Sequence, residues 1–178
     1  MPPISIHKIG LQDLEQLQQI SRRTFFETFS ATNTEENMSK YLAEGFATEK
    51  LSAELKDPDC AFYFALTSDE VIGYLKVNFG KAQTDIKDSH AVEIERIYVL
   101  RDFHGKQAGQ MLYEKAIALA RQANAAYIWL GVWEENPRAI RFYEKNGFTA
   151  FDKHIFTLGE DKQTDILMKK QLKTDSIS

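Results

Sequence analysis

The segment that decides the fold is residues 92–121, which have the sequence VEIERIYVLRDFHGKQAGQMLYEKAIALAR. Apolar, β-branched residues at its start predict a strand, and the turn that follows contains Gly105 and Gly109. Leu112 and Ala116 then begin a run of apolar residues at helical spacing. The segment therefore predicts a strand, a glycine-containing loop and a helix in direct succession.

This loop and the first turn of the helix are a candidate site for a phosphate group. The first turn of a helix has unpaired N–H donors, and the helix dipole adds partial positive charge there. Small residues in the loop let a ligand approach the main chain closely. An ordinary strand–helix connection is an equal alternative on this segment alone. The ATP/GTP pattern G-x-x-x-x-G-K-S/T and the dinucleotide pattern G-x-G-x-x-G are both absent.

A second segment, residues 136–148, has the sequence NPRAIRFYEKNGF. Asn136 is a natural N-cap, and Pro137 fits the first position of a helix. Asn146 and Gly147 predict a left-handed end to the same helix. Local chemistry therefore sets both ends of a helix of about ten residues.

Together the two segments resemble the GNAT superfamily of N-acetyltransferases. The motifs ERIYV, HGKQAG and NPRAIRFYEKNGF carry the resemblance, which extends over nearly the whole chain. Weaker matches near the ends, FFETF, NTEENMSKYL and LGEDKQTDILMKK, look like the spermidine/spermine acetyltransferase branch. The resemblance implies an α/β fold with a mixed, mostly antiparallel sheet, flanking helices and a splayed central strand pair. It also implies acetyl-CoA as the cofactor.

The pattern of apolar residues and turns predicts where the other elements lie. Strands are expected at 5–8, 60–67, 71–79, 91–99, 126–132, 149–158 and 164–170, and helices at 11–29, about 34–46 and 48–56. The first helix is expected to loosen at Thr24, Phe25 and Phe26, which are β-branched or aromatic. The polar residues 80–89 are expected to form a mobile loop.

Length and composition predict one enzyme-sized domain. The 178 residues, 43% of them hydrophobic, suffice for one core, with a domain at 1–172 and a frayed tail at 173–178. The net charge of −4 gives no basic footprint for nucleic acid. No apolar run approaches the ~20 residues that span a membrane, and no signal segment is recognised at the N-terminus. We therefore expect a cytoplasmic protein without nucleic-acid or membrane partners.

The cysteine and histidine residues indicate neither a disulfide nor a metal site. Cys60 is the only cysteine and is interpreted as a small buried residue at a strand start. Its distance from the motifs disfavours an acyl-cysteine intermediate. The four histidines are scattered, so we predict no metal.

The resemblance implies a set of cofactor-binding residues. The loop amides would bind the pyrophosphate; this loop comprises His104, Gly105, Lys106, Gln107, Ala108, Gly109 and Gln110. The strand backbone would bind the pantetheine arm and the acetyl carbonyl through Ile97, Tyr98 and Val99. The short helix would add contacts from Asn136, Tyr143 and Lys145. His104 occupies a position where the family commonly has Arg or Gln. It either adds positive charge to the phosphate site when protonated or is an exposed residue without a role in binding. Gln107 replaces a glycine, so it must avoid a positive φ or accept about 1 kcal/mol of strain.

Two acidic residues and a tyrosine are candidates for proton transfer. Glu95 and, second to it, Glu93 alternate onto one face of the strand and could accept a proton from the amine. The alternative for either is an ion pair with Arg96 or a solvated strand end. The resemblance implies that Tyr143 protonates the departing thiolate; the alternative is a core tyrosine beside Phe142.

Candidate substrate contacts are the aromatic residues on segments that border the acceptor cleft in the resembled fold, together with Glu95. These residues are Phe25, Phe26, Tyr41, Tyr74 and Trp133, and for each one taken singly a place in the core is the favoured interpretation. The expected function is acetyl transfer from acetyl-CoA to a primary amine of a small molecule, a polyamine first, within a ternary complex. Alternatives are a protein or peptide N-acetyltransferase and a non-catalytic CoA-binding sensor. A homodimer is possible.

Overall fold

The computed structural model describes residues 2–173 as a seven-stranded sheet with helices on both faces. The strands are β1 (Ile4–Lys8), β2 (Cys60–Thr67), β3 (Glu70–Phe79), β4 (Ala91–Val99), β5 (Tyr127–Trp133), β6 (Thr149–Leu158) and β7 (Asp161–Gln171). The helices are α1 (Leu14–Phe29), α2 (Glu35–Gly45), α3 (Thr48–Lys56), α4 (Ala108–Gln122) and α5 (Pro137–Lys145). Of the predicted tail, only Lys173 lies within the described residues. Within residues 2–173, every helix is too short or too polar to cross a membrane.

The sheet is mostly antiparallel and contains one parallel pair that separates along its length. Its strand order is β1-β2-β3-β4-β5-β7-β6. Only β4 and β5 run parallel, and they pair over residues 91–94 and 127–130 before they diverge. The mixed α/β fold with a splayed central pair is therefore confirmed.

A β-bulge in β4 explains where the two strands part. Lys76 of β3 pairs with Arg96, but the next residue, Val77, pairs with Ile94, so Glu95 is left without a partner. A bulge bends the strand that carries it and increases its twist. The pairing of β4 with β5 ends at Ile94, one residue before the bulge. The bend at Glu95 thus turns the rest of β4 away from β5.

Alternating residues of the strands face two separate cores. In β2, Phe62 and Phe64 pack with α1 to α3, whereas Tyr63 packs on the opposite face with Leu112 and Ala116 of α4. This period of two is the pattern of a strand that is covered on both faces. The two layers hold β4 and β5 in place between them.

Helix α1 runs unbroken through the segment that was expected to loosen. The Thr24 hydroxyl donates to the carbonyl of Ile20 at 2.8 Å, and Phe25 and Phe29 are buried in the core. Burial of the aromatic face outweighs the weak helix propensity of these residues. The loosening predicted from local propensity is therefore wrong.

The remaining element boundaries follow from local chemistry. The Thr34 side chain accepts from Asn37 N–H at 3.1 Å and caps α2. Ser68 and Asp69 both have positive φ, 48° and 64°, and form a two-residue hairpin turn between β2 and β3. Strand β7 begins three residues earlier than predicted, directly after the turn at Gly159.

The polar segment 80–89, expected to be mobile, is held to the sheet by hydrogen bonds, one of which is buried. The side chain of Gln83 accepts from Trp129 Nε1 at 2.8 Å and donates to the carbonyl of Asp88 at 2.9 Å. The Tyr127 hydroxyl donates to the Asp88 carboxylate at 3.0 Å. These contacts fix the segment beside the start of β4.

Candidate active site

The gap between the diverging ends of β4 and β5 opens into a cavity of about 770 Å³. The cavity is bordered by both strands, the loop before α4, helix α5, and parts of α1, α2 and the β6–β7 hairpin. Sequence-predicted residues that line it are Glu93, Glu95, Ile97, Tyr98, Val99, His104, Gly105, Gln107, Gly109, Gln110, Asn136 and Tyr143, with the aromatic Phe25, Tyr41 and Trp133. The fold thus brings most of the candidate residues to one place.

The start of α4 presents free backbone donors at one end of the cavity. Gln107 is the N-cap of α4, and its side chain forms no capping hydrogen bond. The first intrahelical donor is Met111, which bonds to the Gln107 carbonyl, so the amides of 108–110 are free for a ligand. A side chain at Gly105 would meet nothing within 4 Å, so the loop is open on that side. These features fit a phosphate group held by main-chain donors.

Gln107 adopts the left-handed conformation that the family's usual glycine would accept freely. Its φ is 73° and its ψ is −3°. A residue with a Cβ pays roughly 1–2 kcal/mol in this region. The sequence left open whether Gln107 avoids a positive φ or accepts the strain, and Gln107 accepts the strain. The amides of 108–110 thereby keep the orientation that a glycine at this position would allow.

His104 connects the end of β4 to α5. Its Nε2 contacts the Val99 carbonyl at 2.8 Å, and its Nδ1 accepts a hydrogen bond from Arg138. Burial and the adjacent Arg138 charge lower the pKa of His104. The imidazole is therefore neutral near pH 7, and Arg138, which also lines the cavity, supplies the positive charge that was considered for His104.

The second half of β4 turns alternate backbone groups toward the gap. Leu100 N–H donates to the Ile72 carbonyl at 2.8 Å, and Tyr98 pairs with Tyr74, so both face β3. Because backbone groups alternate along a strand, those of Ile97 and Val99 face the gap left by β5. The backbone of Ile97 and the N–H of Val99 can therefore bind a ligand, whereas the Val99 carbonyl contacts His104 and the backbone of Tyr98 is already paired.

Glu93 is almost fully buried and lines the cavity. It accepts two hydrogen bonds from Thr84, at 2.8 Å from N–H and 2.6 Å from the hydroxyl, and one from Asn78 at 3.0 Å. Burial raises the pKa of the Glu93 carboxyl, and these hydrogen bonds offset only part of that effect. A buried carboxylate with a raised pKa is a better proton acceptor than an ordinary one.

Glu95, the bulge residue, is part of a buried ion-pair network. Its carboxylate contacts Lys76 Nζ at 2.7 Å and Arg96 at 2.9 Å, and Glu54 of α3 contacts both cations. Burial alone would raise the pKa of Glu95, but Arg96 and Lys76 outweigh it and lower the pKa to about 2. The geometry matches the alternative left open by the sequence, an ion pair with Arg96.

Helix α5, which is capped at both ends, places Tyr143 at the cavity. Asn136 caps the helix by accepting from Ala139 N–H at 3.3 Å, and Asn146 ends it by donating to the Phe142 carbonyl at 2.8 Å. Burial raises the pKa of Tyr143 well above its usual range. The pKa of Tyr143 therefore exceeds that of a thiol by more than the ordinary pKa values of the two groups would give. At neutral pH the Tyr143 hydroxyl is protonated.

Several sequence-predicted residues do not reach the cavity. Phe26 is 51% exposed on the outside of α1, and Tyr74 is fully buried beneath Tyr98. Lys106 and Lys145 are exposed and, like the buried Ala108, are absent from the lining. Side-chain contacts from these five residues to a ligand in this cavity are therefore unsupported. Cys60 also lies outside the lining, and burial raises its thiol pKa to about 11.

Among the lining residues that the reasoning from sequence missed are Arg138, Asp85, His154 and Asp165. Arg138 was visible as a basic residue inside the second motif. Asp85 pairs with His154 Nδ1 at 3.0 Å, and Asp165 is a half-buried carboxylate on β7. The sequence signal for Asp165 was a charged residue beside the apolar Ile166 in a predicted strand. This signal does not show that Asp165 lies in the cavity, because its neighbours in the sheet come from distant segments.

Comparisons with known proteins agree with this geometry. The model of the Acetyltransferase (GNAT) family matches residues 14–148. An uncharacterized N-acetyltransferase from Lactobacillus delbrueckii subsp. lactis is 40% identical over 97% of this chain and 99% of its own length. The spermidine N(1)-acetyltransferase of Thermoplasma acidophilum is 25% identical over 84% of this chain and 90% of its own length. The crystal structure of PaiA N-acetyltransferase from T. acidophilum, in complex with coenzyme A, superposes with a TM-score of 0.78 at 25% identity, covering 95% of this chain and 99% of that one.

Proposed function

The chain belongs to the GNAT family of acetyl-CoA-dependent N-acetyltransferases, and we propose that it acetylates a primary amine of a small polycationic molecule, a polyamine first. The observation that carries this proposal is the gap between β4 and β5. One cavity there joins the free amides at the start of α4 to the buried carboxylate of Glu93.

The residues of the cavity fit the needs of the reaction. Acetyl-CoA, when bound, supplies an acetyl thioester. The amides of 108–110, with Arg138, bind its phosphates, and the backbone N–H groups of Ile97 and Val99 bind the arm and stabilise negative charge on the carbonyl oxygen. Glu93 accepts the proton that the amine must lose, directly or through a water. Tyr143 holds a proton for the sulfur that departs.

This assignment gives the two glutamates different roles. A carboxylate whose pKa is near 2 has little tendency to take a proton near pH 7, so Glu95 serves as a fixed negative charge. Glu93, whose pKa is raised, is the base in this proposal. The amine nitrogen bonds to the acetyl carbon as the carbon–sulfur bond breaks, without an intermediate on Cys60.

Two further observations support a small cationic acceptor. The cavity combines the carboxylates of Asp85, Glu93 and Asp165 with aromatic side chains, a combination that suits alkylammonium groups. A relative from T. acidophilum is named a spermidine N(1)-acetyltransferase. The single cysteine fits a reducing compartment, and we propose a cytoplasmic location.

Release of free thiol from acetyl-CoA tests the proposal with a panel of amines: spermidine, spermine, putrescine, amino acids, an aminoglycoside and short peptides. We expect the highest kcat/KM with the polyamines. Turnover with peptides alone would replace the substrate class. CoA binding without turnover of any amine would favour a binding module. Initial rates with both substrates varied should give intersecting lines, since parallel lines would indicate an acyl-enzyme.

A further inference from the structure

Asp165 of β7 is one of the cavity carboxylates that suit a cationic acceptor, but it takes no part in the reaction steps described above. It is half-buried and lies opposite Trp133 of β5 in the strand pairing. Its Oδ2 is 3.3 Å from the point where a side chain on Gly131 would begin. Because Gly131 has no side chain, it leaves room for the Asp165 carboxylate beside the β5 backbone, where both residues line the cavity.

Asp165 differs from the other acidic residues of the cavity in having no partner. Glu93 is bound by Thr84, Glu95 by Lys76 and Arg96, and Asp85 by His154. Among residues 2–173, no cationic side chain forms an ion pair with Asp165, and no donor forms a hydrogen bond with it. His154 faces it across the β6–β7 pairing but is bonded to Asp85.

Aromatic side chains line the cavity together with Asp165, and one of them, Trp133, is its partner in the strand pairing. Phe29 lies 4.7 Å from Trp133 and 6.1 Å from Phe156 between ring centroids, and all three rings line the cavity. The faces of such rings attract ammonium groups, which also form strong hydrogen bonds with carboxylates. A cation on Asp165 would therefore meet both kinds of favourable contact.

Burial without a cationic partner disfavours the ionised form of the Asp165 carboxyl. Burial raises the pKa of Asp165 to about 6, and the neighbouring His154 lowers it only in part. A bound cation would favour the ionised form and return the pKa toward its ordinary value.

We propose that Asp165 binds a second cationic group of the acceptor, remote from the amine that is acetylated. This inference rests on the proposed function, since it deepens the assignment of the acceptor to amines with two or more charges. A monoamine leaves Asp165 without a partner, whereas a diamine or polyamine supplies one. A site built to bind a polar substrate group discriminates strongly against analogues that lack it.

The kinetic test compares putrescine and spermidine with n-butylamine in the wild type, in Asp165→Asn and in the control Asp161→Asn. The control removes the same charge from an exposed position of the same strand. We expect Asp165→Asn to lower kcat/KM for putrescine and spermidine by about tenfold or more. Turnover of n-butylamine should change by less than about twofold, and the control should match the wild type. An equal loss for all three amines, or no loss, would overturn the role of Asp165.

A binding measurement separates this inference from the proposed function. Calorimetric titration of spermidine into the complex of the protein with CoA does not depend on turnover. Weaker binding to Asp165→Asn than to Asp161→Asn would support the inference even if no amine were acetylated. Equal binding of spermidine to the two variants would overturn it, whatever the fate of the proposed reaction.

Discussion

Glu93 and Glu95 share one donor: Asn78 Nδ2 lies 3.0 Å from Oε1 of Glu93 and 2.8 Å from Oε1 of Glu95. The two carboxylates, two positions apart on β4, nevertheless differ in their electrostatic setting. Glu93 has only neutral partners, and its pKa is raised by burial, whereas two buried cations hold the pKa of Glu95 at about 2. This difference separates a proton acceptor from a fixed charge.

Replacement of Glu93 is expected to impair catalysis more than stability. Glu93→Gln keeps the size of the side chain and removes the proton acceptor, so kcat should fall about 100-fold. In the wild type, activity should fall as the pH drops through the raised pKa of Glu93, because the protonated carboxyl cannot accept the proton of the amine. This acid limb should disappear in Glu93→Gln. A variant with unchanged kcat and the same pH profile would exclude Glu93 as the base.

Replacement of Glu95 is expected to impair stability. Glu95→Gln leaves the buried Lys76 and Arg96 charges undercompensated and should lower the free energy of unfolding by about 3 kcal/mol. Because the folded pKa of Glu95 lies below its ordinary value of 4.5, its contribution is complete above that value and is lost as the pH falls toward 2. Urea unfolding should therefore give a difference between wild type and variant that narrows in acid. A difference that stays constant down to low pH would contradict this account of the network.

Tyr143→Phe is expected to separate turnover from cofactor binding. Loss of the hydroxyl removes the proton held for the departing sulfur, so kcat should fall by about 10- to 100-fold, while the Kd for CoA changes less than about twofold. Tyr113→Phe is the matched control, because Tyr113 packs against Phe142 and Phe148 but does not line the cavity. Equal kcat values in the two variants would remove Tyr143 from the mechanism.

The positive φ of Gln107 makes a stability prediction that is independent of catalysis. Glycine accepts this conformation without strain, so Gln107→Gly should be more stable than Gln107→Ala by about 1 kcal/mol in urea unfolding. Both variants should bind CoA with a Kd close to that of the wild type, since the proposed contacts are backbone amides. A glycine variant that is less stable than the alanine variant would show that the Gln107 side chain itself stabilises the loop.

Features set by neighbouring residues could be predicted from the sequence. The caps at Thr34 and Asn136 and the turn at Gly147 are local signals, and the elements that they bound lie close to their predicted positions. The parallel pair followed from the strand–loop–helix segment and the resemblance that it carries. The bulge at Glu95 could not be predicted, since the alternation of β4 is the same with or without it.

The site was harder to predict than the fold because its contacts join distant segments. The segment 80–89 has the composition of a free loop, but Thr84 bonds to Glu93 and Gln83 to Trp129. Phe26 and Tyr74 lie on elements that border the cavity, but the side chain of Phe26 faces solvent and that of Tyr74 lies in the core. A shift of one position along a helix or strand is enough to move a side chain between the core, the cavity and solvent. Asp165 is brought to the cavity by the pairing of β7 with β5, and Gly131 of β5 leaves room beside its carboxylate.

The most direct test of the central claim is the mass of the products after incubation of the protein with acetyl-CoA and spermidine. We predict spermidine that carries one acetyl group, formed in equal amount to free CoA, and about one hundredth as much product with Glu93→Gln in the same time. Unmodified spermidine together with intact acetyl-CoA, in a protein that binds CoA tightly, would contradict the claim.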